Sequence, residues 1–377
     1  MKIGILTQRP MYNYGGILQC LALQSVLEEM GHEAKVIRYI PQRPNTLKRR
    51  LNLLFTDFSF HEYREWVYKY IKKHIGKQYA LPSTLLERCD LFINKHIILT
   101  SNCNESTIGL LLQAEDFDAV VIGSDQVWSG LGHERLVYFG DWSPKFNGRI
   151  ISYAACSPVK RVPQFNRAKI RNLLSKFYAI SVRDNHTQKL MAPYTPSIPK
   201  VVADPTLLYD FNKYITPNMD GDYIFAYILG REIKGGHKAV ITEMKKRYGN
   251  IPIKAVVFTN QHLEITSCAD EVIVDASPER WLNLLAHAKM VYTDSFHAVL
   301  FSLKYRRRFI AYYTELSRAS RLVALRDSWG LKKHIVTSSA DVIEQESLRD
   351  IPGYDYIDKD IKDLKDSSME FLSQSLS

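Results

Sequence analysis

The chain has 377 residues, 46% of them hydrophobic and 24% charged, a length comfortable for two domains and a composition that excludes a disordered or fibrous chain. Its five cysteines are scattered and form no C-x-x-C, which argues against a disulfide framework or a zinc site and fits a reducing compartment. Fifty basic residues against forty acidic ones give a net charge of +10, with part of the excess concentrated in one stretch.

From the N-terminus, "KIGILT" (2–7) reads as a buried strand and is too short for a signal peptide. No window approaches the run of about 18 apolar residues that a membrane span needs, so a soluble, cytoplasmic protein is expected. The polar loop "QRPMYNYGG" leads into a helix, "ILQCLALQSVLEEM", with Gly31 placed to end it. "EAKVIRYI" (33–40) is the next strand, closed by Pro41, and a strand–helix–strand unit of this kind gives parallel pairing.

The basic stretch follows. Between Arg43 and Lys77 nine basic residues face three acidic ones, and seven aromatic residues are interleaved with them. Three readings compete: a solvated face on a helical insertion spanning about 43–105, a surface lying on anionic lipid, or a nucleic-acid footprint. The last ranks lowest, since no nucleic-acid motif accompanies the charge, and nucleic acid is not expected as a partner.

Strand grammar then resumes with "FDAVVIG" (117–123), "RIISYAAC" (149–156), "KFYAISVRD" (176–184) and "PKVVAD" (199–204). Turn-forming residues between Asp204 and Tyr223 mark a domain boundary, giving domains at 1–212 and 213–345 and a helical tail at 346–377. In the second half "YIFAYILG", "IPIKAVVFT", "DEVIVD", "KMVYT" and "RRFIAYY" read as strands. "GGHKAVITEMKKRYG", "SPERWLNLLAHA" and "SRASRLVALRDSWG" read as helices, the second with Ser277 as N-cap and Pro278 at its first position. The fold class expected is α/β, with two Rossmann-like domains and a ligand cleft between them, outside the carboxyl ends of the strands.

Familiar cofactor signals are missing: no G-x-G-x-x-G follows a strand, "GREIKGG" (230–236) is not a P-loop, and neither H-E-x-x-H nor G-x-S-x-G occurs. Polar residues instead gather at expected strand ends: "NYGG" (13–16), "GSDQVW" (123–128), "SVRD" (181–184), "ADPT" (203–206) and "TDSFH" (293–297). Each has a plain structural reading as a turn, a helix cap or a surface charge; together they point to one shared cleft. With Asp294 as N-cap, His297 falls at the third helical position, at the edge of an apolar stripe of Phe296, Val299, Leu300 and Leu303. A helix N-terminus suits an anion and opposes protonation of the imidazole until one arrives.

In this order, "NYGGILQCLALQSVLEEMGHEAKVI", "GSDQVW", "ISYAAC", "ISVRD", "DPTLL", "SPERWLNLLAHAKMVYTDSFH" and "SRASRL" resemble the polysaccharide pyruvyl transferase family, up to about Leu331. The resemblance implies a GT-B-like glycosyltransferase architecture. The activity it implies is transfer of pyruvate from phosphoenolpyruvate to two hydroxyls of a sugar, forming a cyclic ketal in exopolysaccharide or capsule biosynthesis. Phosphoenolpyruvate enters as co-substrate, with no cofactor or metal. The expected acceptor is a lipid-linked glycan at the inner membrane face, and residues 43–77 are the expected contact with anionic lipid.

By resemblance His297 is the candidate general acid and Arg183 holds a donor anion, with Arg318 and Arg321 as further candidates for that task. Asp125 or Asp294 orients the acceptor hydroxyl. Asn13, Tyr14, Gly15, Gly123, Ser124, Gln126, Asp204 and Ser295 complete the expected substrate-binding set. Many members carry Arg-Leu-His where this chain has Ser295-Phe296-His297, and a glycine where it has Ala298. The competing functions are a nucleotide-sugar glycosyltransferase on the same fold and a non-catalytic glycan- or membrane-binding relative.

Overall fold

The structure, a computed structural model, describes residues 1–42, 81–217, 221–230, 232–258, 263–314 and 316–377, the side chains of 316–318 excepted. The basic aromatic stretch 43–77 and the side chain of Arg318 therefore lie outside the described residues. Two parallel sheets form the frame. The first has the order β3-β2-β1-β4-β5-β6-β7, built from Lys2–Leu6 (β1), Glu33–Tyr39 (β2), Leu99–Cys103 (β3), Ala119–Ile122 (β4), Arg149–Ala155 (β5), Ala179–Val182 (β6) and Lys200–Val201 (β7). The second has the order β10-β9-β8-β11-β12-β13, built from Gly221–Ile228 (β8), Ile253–Val257 (β9), Glu271–Ile273 (β10), Ala288–Thr293 (β11), Arg308–Tyr312 (β12) and Ile335–Val336 (β13).

Both sheets have their central strands buried on both faces, which is why those segments read as continuous apolar runs. All four residues of β4 are buried, and β1 pairs with it in register Leu6↔Ile122. In each sheet the order of strand addition reverses at the first strand, between β1 and β4 and between β8 and β11, the places where crevices form at the carboxyl ends of parallel strands. The two-domain α/β expectation holds. Of the segment expected as a helical insertion over about 43–105, the described part holds a helix over Ser83–His96 and the edge strand β3, whose polar sequence LTSNC hides it from a hydrophobic pattern.

The apolar core is not confined to either domain. One cluster runs from Ile3, Leu18 and Val121 of the first sheet layer through Leu207 and Phe211 to Tyr227, Trp281 and Val299 of the second. Separate clusters pack the outer face of each sheet. Tyr14 stitches the halves together. It is fully buried, donates a hydrogen bond to the Ala276 carbonyl at 3.0 Å, and stacks on Trp281 with ring centroids 5.5 Å apart. The C-terminal helix, Tyr354–Leu376, ties them a second time: Arg306 pairs with its Asp355 and Asp358, while Ser368 accepts a hydrogen bond from the Ala203 amide. Among the described residues, no helix is long and apolar enough to cross a membrane.

Removing the Tyr14 ring should cost about 3–5 kcal/mol, as for other buried aromatic truncations, whereas Tyr14→Phe should cost about 1 kcal/mol for the lost hydrogen bond. Urea unfolding followed by tryptophan fluorescence measures both. Equal, small losses would show that the junction does not depend on this ring.

Candidate active site

Four strand ends of the first domain meet one helix of the second. After β6, Arg183 follows directly, and Asp184 caps the next helix by accepting from the Thr187 amide at 2.7 Å. After β4 the chain turns through Gly123, whose φ is +128° and where a Cβ would fall 2.0 Å from the Tyr153 carbonyl oxygen; only glycine fits. Asp125 then adopts a φ of +73°, an uncommon backbone state for a non-glycine residue. Its carbonyl accepts from the Cys156 amide at 2.9 Å, and its amide donates to Ser124 Oγ at 2.6 Å. After β7, Asp204 caps the short helix Pro205–Leu208.

These groups close around the Arg183 guanidinium. Nη1 donates to Asp204 Oδ2 at 2.6 Å, and Nη2 donates to Asp125 Oδ1 at 2.9 Å and lies 2.8 Å from Cys156 Sγ. The side chain is only 3% exposed. Asp204 divides its oxygens: Oδ1 accepts from the Thr206 amide and hydroxyl at 3.0 and 2.7 Å, and Oδ2 serves Arg183. Burial opposes ionisation of Asp204, but the nearby His297 and Arg183 outweigh it and hold the carboxyl well below the usual range. At Asp125 burial is likewise outweighed by Arg183, Arg321 and His297, and the carboxyl sits at about 2. Burial pushes the Cys156 thiol up to about 12 despite the guanidinium, so it stays protonated at neutral pH.

From the second domain comes the helix Phe296–Lys304. Its N-cap is Ser295, whose Oγ accepts from the Ala298 amide, and His297 is therefore at the second helical position. This corrects the expectation of Asp294 as cap and His297 at the third. All residues from Phe296 to Leu303 are buried, so the helix has no solvent edge. His297 Nε2 stands 3.7 Å from Asp204 Oδ2, an ion-pair distance too long for a hydrogen bond. Its ring fills the space over Gly15 of the opposite domain, where a Cβ would lie 2.2 Å from Nδ1. The neighbouring Phe296 ring receives two guanidinium groups, Arg183 at 4.7 Å and Arg321 at 5.2 Å from its centroid. Arg321 Nη1 also donates to Asp125 Oδ1 at 3.1 Å. A cavity of about 290 Å³ adjoins the cluster, lined by Arg183, Asp204, Phe296, Arg321, Trp329 and Leu364 among others. His297 touches Asp204 but does not itself line it.

The structure thus gathers Gly15, Ser124, Asp125, Arg183, Asp204, His297 and Arg321 at one junction, Ser124 through an Oγ 3.4 Å from Asp204 Oδ2. It redirects others. Asp294 is buried and its Oδ1 accepts from the Leu229 amide at 2.6 Å, tying β11 to the end of β8. Tyr14 is fully buried and anchors one domain to the other. Asn13 is exposed and caps the first helix through the Gly16 amide. Gln126 is half-buried and accepts from Gln8 through its carbonyl. Arg183 lines the cavity while both its terminal nitrogens are engaged by Asp204, Asp125 and Cys156. Two features escaped the sequence reading: Asp204 as the partner of His297, and Phe296 as the shared arginine platform.

The chain matches the sequence model of the family described as polysaccharide pyruvyl transferase over residues 13–315. No curated protein sequence matches it. Among solved structures it is similar to a Listeria monocytogenes protein assigned as a UDP-N-acetylglucosamine 2-epimerase, with a TM-score of 0.55 at 12% identity over 99% of this chain and 90% of that one. It is also similar to the UDP-GlcNAc 2-epimerase of Methanocaldococcus jannaschii, with a TM-score of 0.51 at 12% identity, covering 94% of this chain and 93% of that one. At such identity these likenesses speak for the GT-B-type fold alone.

Asp125, depressed from an unfolded value near 3.9, contributes stability that is fully present above about pH 4 and is lost as pH falls toward 2. The expected contribution is about 2–3 kcal/mol. Urea midpoints for wild type and Asp125→Asn should therefore differ most near pH 6 and converge by pH 2. A gap independent of pH would show that the Asp125 charge carries no such stability.

Proposed function

The chain belongs to the polysaccharide pyruvyl transferase family, and from that premise we propose that it transfers pyruvate from phosphoenolpyruvate to two hydroxyls of a glycan, forming a cyclic ketal. The observation that carries the reading is the pairing of His297 with a buried, ionised Asp204 at the domain junction. The donor's methylene carbon must gain a proton as its C2 becomes electrophilic, and an imidazolium held beside a carboxylate is a suitable donor of that proton. Arg183 helps keep Asp204 ionised, so a fixed negative charge stands beside His297.

In this scheme His297 protonates the methylene, one glycan hydroxyl bonds to C2, and inorganic phosphate leaves as a second hydroxyl closes the ketal. One hydroxyl proton restores His297 and the other departs with phosphate. His297 adjoins the cavity through Asp204, which lines it and stands 3.7 Å from Nε2. The acceptor in this reading is lipid-linked, and the support for that part is the basic aromatic stretch 43–77.

His297→Gln should reduce phosphate release from phosphoenolpyruvate in the presence of a glycan acceptor by about 10²–10⁴-fold, with little change in melting temperature. Retained turnover would remove His297 from the mechanism. Wild-type protein at a hundred times the dissociation constant of phosphoenolpyruvate should gain about 2.7 kcal/mol. Stabilisation by a UDP-sugar and not by phosphoenolpyruvate would point to a nucleotide-sugar glycosyltransferase. The intact protein should also co-sediment with phosphatidylserine-containing vesicles at low salt and less at high salt, since each basic residue near an anionic surface contributes about 1 kcal/mol. Salt-independent sedimentation would count against the membrane contact.

A further inference from the structure

The two arginines of the site differ in a way that assigns them different tasks. Arg183 has both terminal nitrogens engaged by Asp204, Asp125 and Cys156. Arg321 comes from the helix Leu316–Ser328, lines the cavity, and has a side chain 22% exposed. Among the described residues its one hydrogen bond to a carboxylate is Nη1 to Asp125 Oδ1, against two carboxylate partners for Arg183; the buried Nε of each arginine has no hydrogen-bond partner there. Stacking on Phe296 fixes the plane of the guanidinium without consuming its N–H groups.

Asp125 is shared by both arginines through the same oxygen. Its backbone is pinned by Ser124 and Cys156 in a left-handed conformation that aims the carboxylate inward. If Arg321 turned away, Asp125 would keep its bond to Arg183. The two guanidinium charges and the two carboxylate charges of Asp125 and Asp204 balance one another, His297 aside.

We propose that Asp125 is a resident counter-ion for Arg321, and that Arg321 is the exchangeable cation that leaves it to bind the carboxylate or phosphate of an entering donor. This rests on the pyruvyl transferase reading for the identity of the donor, and extends it by separating a structural arginine, Arg183, from a ligand-facing one. The other carboxylates along the cavity do not compete equally: Asp184 is committed to the Thr187 amide, and Asp360 sits half-buried on the C-terminal helix.

The test is a thermal-shift titration of the full chain with phosphoenolpyruvate, pyruvate and inorganic phosphate, comparing wild type, Arg321→Gln, Arg321→Lys and Asp125→Asn. Arg321→Gln should weaken the apparent affinity roughly ten- to a hundredfold, the value of a charge-assisted hydrogen bond. Arg321→Lys should recover part of it. Asp125→Asn should strengthen binding by about three- to tenfold, because the internal competitor is gone. A purely structural ion pair would move both residues' variants in the same direction, and that result would overturn the proposal. Pyruvate and phosphate as separate arms show which group of the donor Arg321 meets. If wild type answers to phosphate or pyruvate but not to phosphoenolpyruvate, the functional reading fails while the opposite-sign comparison still decides the exchange. If no anion binds wild type or Asp125→Asn, the exchange itself is refuted.

Discussion

A buried guanidinium cannot be left unpaired, and the arrangement of this protein's first domain follows from that constraint at Arg183. Breaking a buried charge pair by removing one partner costs about 3–5 kcal/mol, so Arg183 demands carboxylates close at hand. They come from the ends of β4 and β7, strands on either side of the pair β5–β6, which brings the ends of four strands to one point. The unusual backbone at Asp125 and the commitment of Asp204's other oxygen to its own helix are the local costs of meeting that demand. In return Asp204 stays ionised in a place where burial alone would neutralise it, and the histidine from the opposite domain finds a fixed charge beside it.

The second constraint is the closeness of the two domains. A hydrophobic core continuous from one sheet to the other leaves little slack at the junction, and Gly15 is where the backbone of one half meets the imidazole of the other. Tyr14 and the C-terminal helix hold that approach from two sides, one by ring stacking and a hydrogen bond, the other by ion pairs and Ser368. Chemistry at this junction is therefore coupled to how the domains pack. A change at Tyr14 reaches His297 through its sequence neighbour, Gly15, without touching a substrate.

Much of this was legible in the sequence. The buried parallel strands announce themselves as apolar runs because both faces are covered, and the polar clusters after them do converge. The family resemblance read from the motif order agrees with the family match over residues 13–315. What sequence could not decide is which of several suitable residues takes a given task. "TDSFH" offers Thr293, Asp294 and Ser295, all able to cap a helix, and tertiary contacts choose among them: Thr293 Oγ1 donates to the Tyr227 carbonyl, Asp294 is claimed by the Leu229 amide, and Ser295 remains for the cap. The edge strand β3 was missed because its polar, half-exposed sequence lacks the apolar run that marks the central strands, and β13 because its two residues, though buried, are too few to form such a run. Arg183 and Arg321 look alike in sequence; only burial separates them.

That separation bears on Ser295, where the family resemblance implies an arginine. A cap at this position needs a short side chain that folds back to the Ala298 amide, which serine supplies. Arg321 approaches the same region from a different helix and rests on the face of Phe296, the residue next to the cap. The site thus keeps two guanidinium groups around one ring, with the second delivered by tertiary packing and not by the helix that carries the histidine. Each of these two guanidinium groups is met by an aspartate, so their charges are compensated within the folded core. An anion entering there changes the pairing of charges already in place, so its binding energy is set by how readily one internal pair opens.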